Sequence, residues 1–96
     1  MRVQFVTKEH GPDRLVCEAE LVFDEAGPLA GMKLVGFSLW RSADGEVFAT
    51  LPARAFGAGA DRRFFDLLRP AENNAPEAAR RFKAWLLEQY EARRAA

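Results

Sequence analysis

The 96-residue chain has no net charge, with 14 Lys and Arg balancing 14 Asp and Glu, and 49% of its residues are apolar. These values are ordinary for one globular domain spanning residues 1–96, and no apolar run approaches the roughly 20 residues that a membrane helix needs. The single cysteine, Cys17, excludes an internal disulfide. Together with a start that lacks the pattern of a signal peptide, this predicts a cytoplasmic protein.

Charge is unevenly distributed along the chain. Residues 1–52 contain five Lys or Arg against eight Asp or Glu, whereas residues 53–96 contain nine against six. A basic half can attract an anionic partner, although the same imbalance also arises from ordinary surface variation.

The N-terminal third predicts a hairpin. Residues 3–7 form the first strand, and the turn-forming residues 10–13 close it onto a longer strand at residues 15–23. In this second strand apolar side chains occupy the odd positions from Cys17 to Phe23, while Glu18 and Glu20 point the other way. A period of two indicates a strand buried on one face.

Residues 32–41 predict a third strand that is apolar on both faces. Uninterrupted alternation places Leu34 with Trp40 on one face, and the other face carries three further apolar side chains, those of Val35, Phe37 and Leu39. A small sheet with one helix leaves one face in water, so we expect a second subunit to cover the extra apolar face. Gly36 indicates a bulge or a close neighbour within this strand.

The next stretch, residues 44–70, enters on an Asp-Gly turn and continues as a strand at residues 47–51. Pro52 cannot donate to a sheet ladder, so the strand stops there or lies at an edge. An Ala/Gly loop follows, in which Gly57 and Gly59 allow unusual dihedral angles, and an apolar run at residues 64–68 returns to Pro70.

The C-terminal segment predicts one amphipathic helix. Pro76 occupies the favoured first position, and the helix extends to about Arg94. An apolar arc predicted to pack on the sheet comprises Ala78, Ala79, Phe82, Trp85, Leu86 and Tyr90. Leu87 lies outside this arc and is expected to be exposed or to touch a partner.

Enzymatic chemistry finds little support in the sequence. A Cys17–His10 dyad would need a strand residue on the inward face and a turn residue to converge, so a buried structural thiol is the simpler interpretation of Cys17. No cluster of His or Cys has the spacing of a zinc site. We therefore expect no enzyme activity, metal, cofactor or small-molecule substrate.

Basic residues instead suggest contact with a nucleic acid. The candidate binding residues are Arg54, Arg62, Arg63, Arg69, Arg80, Arg81 and Lys83. Arginine side chains suit phosphates and guanine edges, and Phe64 or Phe65 would stack on a base if exposed. The alternative is a solvated face beside a core strand.

Three segments resemble the stage V sporulation protein G (SpoVG) septation-regulator family. They are the Gly-strand-Pro segment at residues 45–52, the Asp-x-x-x-Pro segment at residues 66–70, and the Leu-Leu-Glu-Gln-Tyr end of the helix at residues 86–90. The resemblance implies an antiparallel sheet with a C-terminal helix, a dimer, and DNA or RNA binding in gene regulation linked to septation and sporulation. Of the basic residues that follow the family's proline, Arg54 is the one carried over here.

The sequence thus predicts an α+β domain, an antiparallel meander of four to five strands with one C-terminal helix, assembled as a homodimer. We expect a non-enzymatic nucleic-acid-binding regulator. The alternative is a protein-interaction module of the same fold without affinity for nucleic acid.

Overall fold

The computed structural model describes residues 1–95 and confirms the α+β class. Four strands form an antiparallel sheet in the order β1-β2-β3-β4: Arg2–Val6, Leu15–Val22, Lys33–Arg41 and Val47–Thr50. A second sheet pairs β5 (Ala53–Phe56) with β6 (Arg63–Asp66), and a 3-10 helix at Gly59–Asp61 lies between them. The chain ends in helix α1, Glu77–Ala95.

Local turns make the four-stranded sheet a meander. The N–H of Leu15 donates to the carbonyl of Pro12 at 3.0 Å and closes the β1–β2 connection. Between β3 and β4, the N–H of Gly45 donates to the carbonyl of Ser42 at 3.0 Å, and Gly45 has a φ of 89°. Glycine is favoured at that φ because it lacks a Cβ, which confirms the predicted turn.

The core lies between one face of the sheet and α1. Its fully buried large side chains are Phe37, Leu39 and Leu86. The helix crosses the sheet, since the ring of Phe82 lies 5.6 Å from that of Phe37 on β3, and the ring of Tyr90 lies 5.6 Å from that of Phe5 on β1. The predicted helical arc therefore packs as expected. Leu87 also packs, partly buried, against the core, so the expectation that it is exposed is wrong.

A bulge in β3 corrects the predicted division of its faces. Ala19 pairs with Phe37, whereas Leu21 pairs with Leu34, so β3 contains one more residue than β2 between these pairs. The extra residue shifts the alternation and places Leu34 on the core side with Phe37. Grouping Leu34 with Trp40 was therefore wrong.

The bulge also changes which apolar side chains meet water. Val35, expected beside Phe37, is exposed instead. Trp40 remains on the outer face, paired with Phe48 of β4, and its indole N–H donates to the hydroxyl of Thr50 at 3.1 Å. The middle of the outer face is polar, since it carries Glu18 and Glu20.

The end of β4 sets the position of the second sheet. The strand stops at Thr50, before a buried Pro52, and β4 forms an edge of the four-stranded sheet, as the proline predicts. Beyond it, β5 occupies part of what the sequence predicts to be a loop, so the chain contains two strands more than the four-stranded meander. The sequence of β5 gives no sign of a buried face, because three of its four residues are exposed and Ala55 is only half-buried.

Candidate nucleic-acid interface

Residues 53–66 form a two-stranded ribbon, hereafter the arm. Its base is closed by the N–H of Leu67, which donates to the carbonyl of Pro52 at 2.7 Å. Every residue of the arm is exposed except Ala55, which is half-buried. The described chain measures 43 × 32 × 25 Å along its principal axes.

The tip of the arm is a hydrogen-bonded turn. The N–H of Asp61 donates to the carbonyl of Ala58 at 3.1 Å, and that of Arg62 to the carbonyl of Gly59 at 3.2 Å. Gly57 has a φ of 81°, and a Cβ there would lie 2.6 Å from the carbonyl oxygen of Asp61. Glycine is therefore required at this point for the ribbon to reverse so tightly.

The register of the arm places arginine beside phenylalanine. Arg54 pairs with Phe65, and Phe56 pairs with Arg63. Because side chains directly opposite each other share a face, these four residues lie on one side of the ribbon, hereafter the Arg/Phe face. Arg54, Arg63 and Phe65 were candidates from the sequence, but Phe56 was not. The signal for Phe56 was its position two residues after Arg54, since residues i and i+2 of a strand share a face.

The rings and guanidinium groups of the arm are in contact. The rings of Phe56 and Phe65 meet edge to face with centroids 5.3 Å apart. The guanidinium carbon of Arg54 lies 5.2 Å from the centroid of Phe56, and that of Arg62 lies 5.1 Å from the centroid of Phe64 on the opposite side of the ribbon. Cation–π contacts at exposed sites contribute about 0.5–1 kcal/mol each, so they favour these side-chain positions.

Charge on the arm is not neutralised locally. Among residues 1–95, no carboxylate lies within 4.0 Å of the charged nitrogens of Arg54, Arg62, Arg63 or Arg69. By contrast, Lys33 on the sheet is paired with Glu20 at 3.1 Å, and Lys8 with Glu18 at 3.7 Å. The arm arginines are therefore available to an outside anion.

Arg69 follows the arm and lies at its base. It borders a shallow depression of about 340 Å³ lined also by Phe56, Phe65, Asp66 and Leu67. The structure thus places Arg69 next to the Arg/Phe face.

The three helical candidates lie on a different element. Arg80, Arg81 and Lys83 belong to α1, which packs on β4 and β1. Arg80 and Lys83 share a flank because they are three positions apart, whereas Arg81 lies about 100° round the helix from Arg80. No contact described in the structure joins them to the arm.

Cys17 and His10, the two residues considered for a catalytic dyad, lie in different surroundings. Cys17 is buried on the core face, and burial raises the pKa of its thiol against a weaker opposing effect of Arg93. His10 lies exposed in the turn before β2. Among the described residues no group of three His, Cys, Asp or Glu is placed to hold a metal ion.

A second concave feature lies between the sheet and the start of α1. This cavity of about 280 Å³ is lined by apolar side chains including Leu21, Leu51 and Phe82, with Arg69 at its border. Its lining lacks the several convergent polar groups that orient a small ligand.

No helix in residues 1–95 has the length and apolar content to cross a membrane.

Comparison with known proteins adds no family to this description. The chain shows no match to a protein-family model, to a curated protein or to a solved structure.

Proposed function

We propose that this protein is a non-enzymatic nucleic-acid-binding regulator that acts as a cytoplasmic homodimer. The observation that carries the proposal is the Arg/Phe face, where two arginines and two phenylalanines alternate on a ribbon that is exposed on both sides. The resemblance to the SpoVG family supports a regulatory role linked to septation and sporulation.

Arginine chemistry supports a phosphate partner. The planar guanidinium forms paired hydrogen bonds with phosphate oxygens, and the arm arginines have no intramolecular carboxylate to displace among the described residues. A ribbon whose side chains are almost all exposed also presents these arginines to a nucleic-acid backbone without obstruction from the rest of the chain. The arm thus combines the charge and the exposure that such contacts need.

Arg80, Arg81 and Lys83 are assigned a secondary part in this proposal. They are side chains on the outer part of α1 that would widen the basic surface if the nucleic acid extended beyond the arm. Arg80 and Lys83 face the same flank and would act together, while Arg81 would act separately.

The proposed homodimer uses the exposed apolar side chains of the sheet. Phe48 is exposed beside the half-buried Trp40, and Val35 is exposed at the bulge. Contact between two copies would remove these side chains from water and would present two arms to one ligand. The buried thiol of Cys17 is compatible with the reducing cytoplasm.

A protein-interaction module is the second candidate. Phe64 is 66% exposed and Leu67 is 64% exposed, which is unusual for large apolar side chains unless a partner covers them. An apolar protein groove would satisfy these two residues without using the arginines.

Fluorescence anisotropy with labelled random-sequence DNA and RNA at low salt tests the proposed function. The Arg54→Ala/Arg63→Ala double variant is expected to lose most of the wild-type affinity. Arg14→Ala is the matched control, since Arg14 is an exposed arginine in the turn before β2. Binding by the double variant as tight as that of the wild type would refute the assignment of the arm.

A further inference from the structure

The arm exposes more aromatic surface than phosphate binding requires. Phe56, Phe64 and Phe65 are 46%, 66% and 49% exposed, respectively. Phosphate contact is satisfied by arginine alone, so these rings need a separate explanation. Clustered exposed apolar side chains on a soluble protein mark a surface that binds something.

Each ring on the arm lies close to a cation. Arg54 contacts the ring of Phe56 and is paired across the ribbon with Phe65, and Arg62 contacts the ring of Phe64. A ligand that matches this pattern carries flat apolar groups at short intervals along an anionic backbone. Nucleobases on a sugar-phosphate chain have this form, and each base stacked on an aromatic side chain contributes about 1–3 kcal/mol.

Duplex nucleic acid matches the pattern poorly. Its bases are stacked on one another, and opening a step for a protein side chain costs a few kcal/mol. The four-stranded sheet also belongs to the acidic half of the chain, with eight Asp or Glu against five Lys or Arg in residues 1–52. Because a duplex carries about one negative charge per 1.7 Å, the acidic sheet disfavours its close approach more than that of a single strand.

Resting on the proposed function, we infer that the ligand of the arm is single-stranded nucleic acid whose bases stack on Phe56, Phe64 and Phe65. The arginines hold the sugar-phosphate chain beside the rings. Preference for unpaired bases then comes from the phenylalanines, and affinity for any polyanion comes from the arginines.

Three probes of equal length separate these two contributions. They are a labelled mixed-sequence DNA single strand, the same strand annealed to its complement, and an abasic strand with the same phosphates and no bases. Fluorescence anisotropy at low salt gives the affinity for each. Wild-type protein is expected to bind the single strand about tenfold or more tightly than the duplex or the abasic strand, since about 1.4 kcal/mol of stacking gives a tenfold difference.

Variants then assign the preference to the rings. Phe65→Leu keeps the position apolar but removes the aromatic face, and it is expected to weaken single-strand binding about tenfold without changing abasic binding. Arg63→Ala is expected to weaken both. Leu29→Ala is the control, since Leu29 is an apolar residue of similar exposure in the loop between β2 and β3, 51% against 49% for Phe65. The exposure of Phe65 means that its replacement leaves the core intact, which circular dichroism verifies.

Failure of this inference is distinguishable from failure of the proposed function. Absence of binding to all three probes refutes nucleic-acid binding altogether and favours a protein partner for the phenylalanines. Equal affinity for the single strand, the duplex and the abasic strand overturns the stacking inference while leaving nucleic-acid binding in place. Unchanged single-strand affinity in Phe65→Leu overturns it as well.

Discussion

Gly36 in β3 lies directly against Pro52, the residue that precedes the arm. A Cβ built on Gly36 would come within 3.1 Å of the Cβ of Pro52, and Gly36 has a φ of 108°. Ser38 pairs with Thr50, so Gly36 and Pro52 continue the same register two residues further. The bulge region of β3 therefore packs against Pro52, where the chain leaves the four-stranded sheet and enters the arm.

Replacing this glycine tests the contact. Gly36→Ala is expected to lower the free energy of unfolding by about 1–3 kcal/mol, because it adds both a strained φ and a close contact. Gly31→Ala is the control, since Gly31 has a φ of 83° and open space at its Cβ position. Urea denaturation measures both variants, and equal losses would show that the contact with Pro52 contributes nothing.

Two leucines test the boundary between core and arm. Leu86 is 0% exposed and lies in the core, whereas Leu67 at the base of the arm is 64% exposed. Leu86→Ala is expected to cost about 2–5 kcal/mol through lost burial and a cavity. Leu67→Ala is expected to change stability by no more than about 0.5 kcal/mol. Thermal and urea denaturation provide the comparison, and a large loss in Leu67→Ala would mean that residue 67 is buried in solution.

The salt dependence of binding tests how many of the candidate cations contact the ligand. Single strands give a slope of log K against log salt of about −0.7 per neutralised phosphate, so the four arginines of one arm predict a slope of about −3, or about −6 when both arms of the dimer bind one strand. Participation of Arg80, Arg81 and Lys83 would steepen the slope by about 2 more for each protomer in contact.

Alanine variants identify which set is responsible. If the arm acts alone, Arg62→Ala reduces the magnitude of the slope and Arg81→Ala leaves it unchanged. A change of slope in Arg81→Ala would bring the helix into the interface. Lys33→Ala serves as the control because Lys33 is already paired with Glu20.

The turn between β3 and β4 predicts a defined pH dependence. A hydrogen bond donated by the Ser42 hydroxyl, with one from the N–H of Glu46, lowers the pKa of Asp44. The folded-state pKa lies below the unfolded value of about 3.9, so the stabilisation is present above that pH and is lost as the pH falls through the folded pKa. Ser42→Ala is expected to raise the pKa of Asp44 towards its ordinary value.

Carboxyl NMR titration measures this shift directly. Ser38→Ala is the control, since Ser38 lies within β3 and outside the turn. An unchanged Asp44 titration in Ser42→Ala would contradict the assigned hydrogen bond.

Many of the candidate site residues could be predicted from the local sequence. Arg54, Arg62, Arg63 and Arg69 were identified from their concentration around an Ala/Gly loop, and the structure places them on or beside one ribbon. Grouping them with Arg80, Arg81 and Lys83 depended on charge alone. Charge does not specify position, so their relation to the arm was not predictable in this way.

The alternating pattern of β3 could not predict which of its side chains face the core. Alternation assumes an uninterrupted pleat, and one additional residue near Gly36 moves Leu34 to the core side and exposes Val35. A glycine indicates that a bulge is possible, but the register with β2 decides where the extra residue lies.

By itself the sequence determined the properties that depend on near neighbours: the buried face of β2, the turn at Gly45, the end of β4 before Pro52 and the apolar arc of α1. These follow from periods of two and 3.6 residues and from the backbone limits of glycine and proline. Only the tertiary structure decided that residues 53–66 stand exposed on both sides, with Phe56 and Phe65 in contact between Arg54 and Arg63. Burial of a side chain depends on what packs against it from distant parts of the chain, and nothing in a local pattern of arginine and phenylalanine specifies that neighbour.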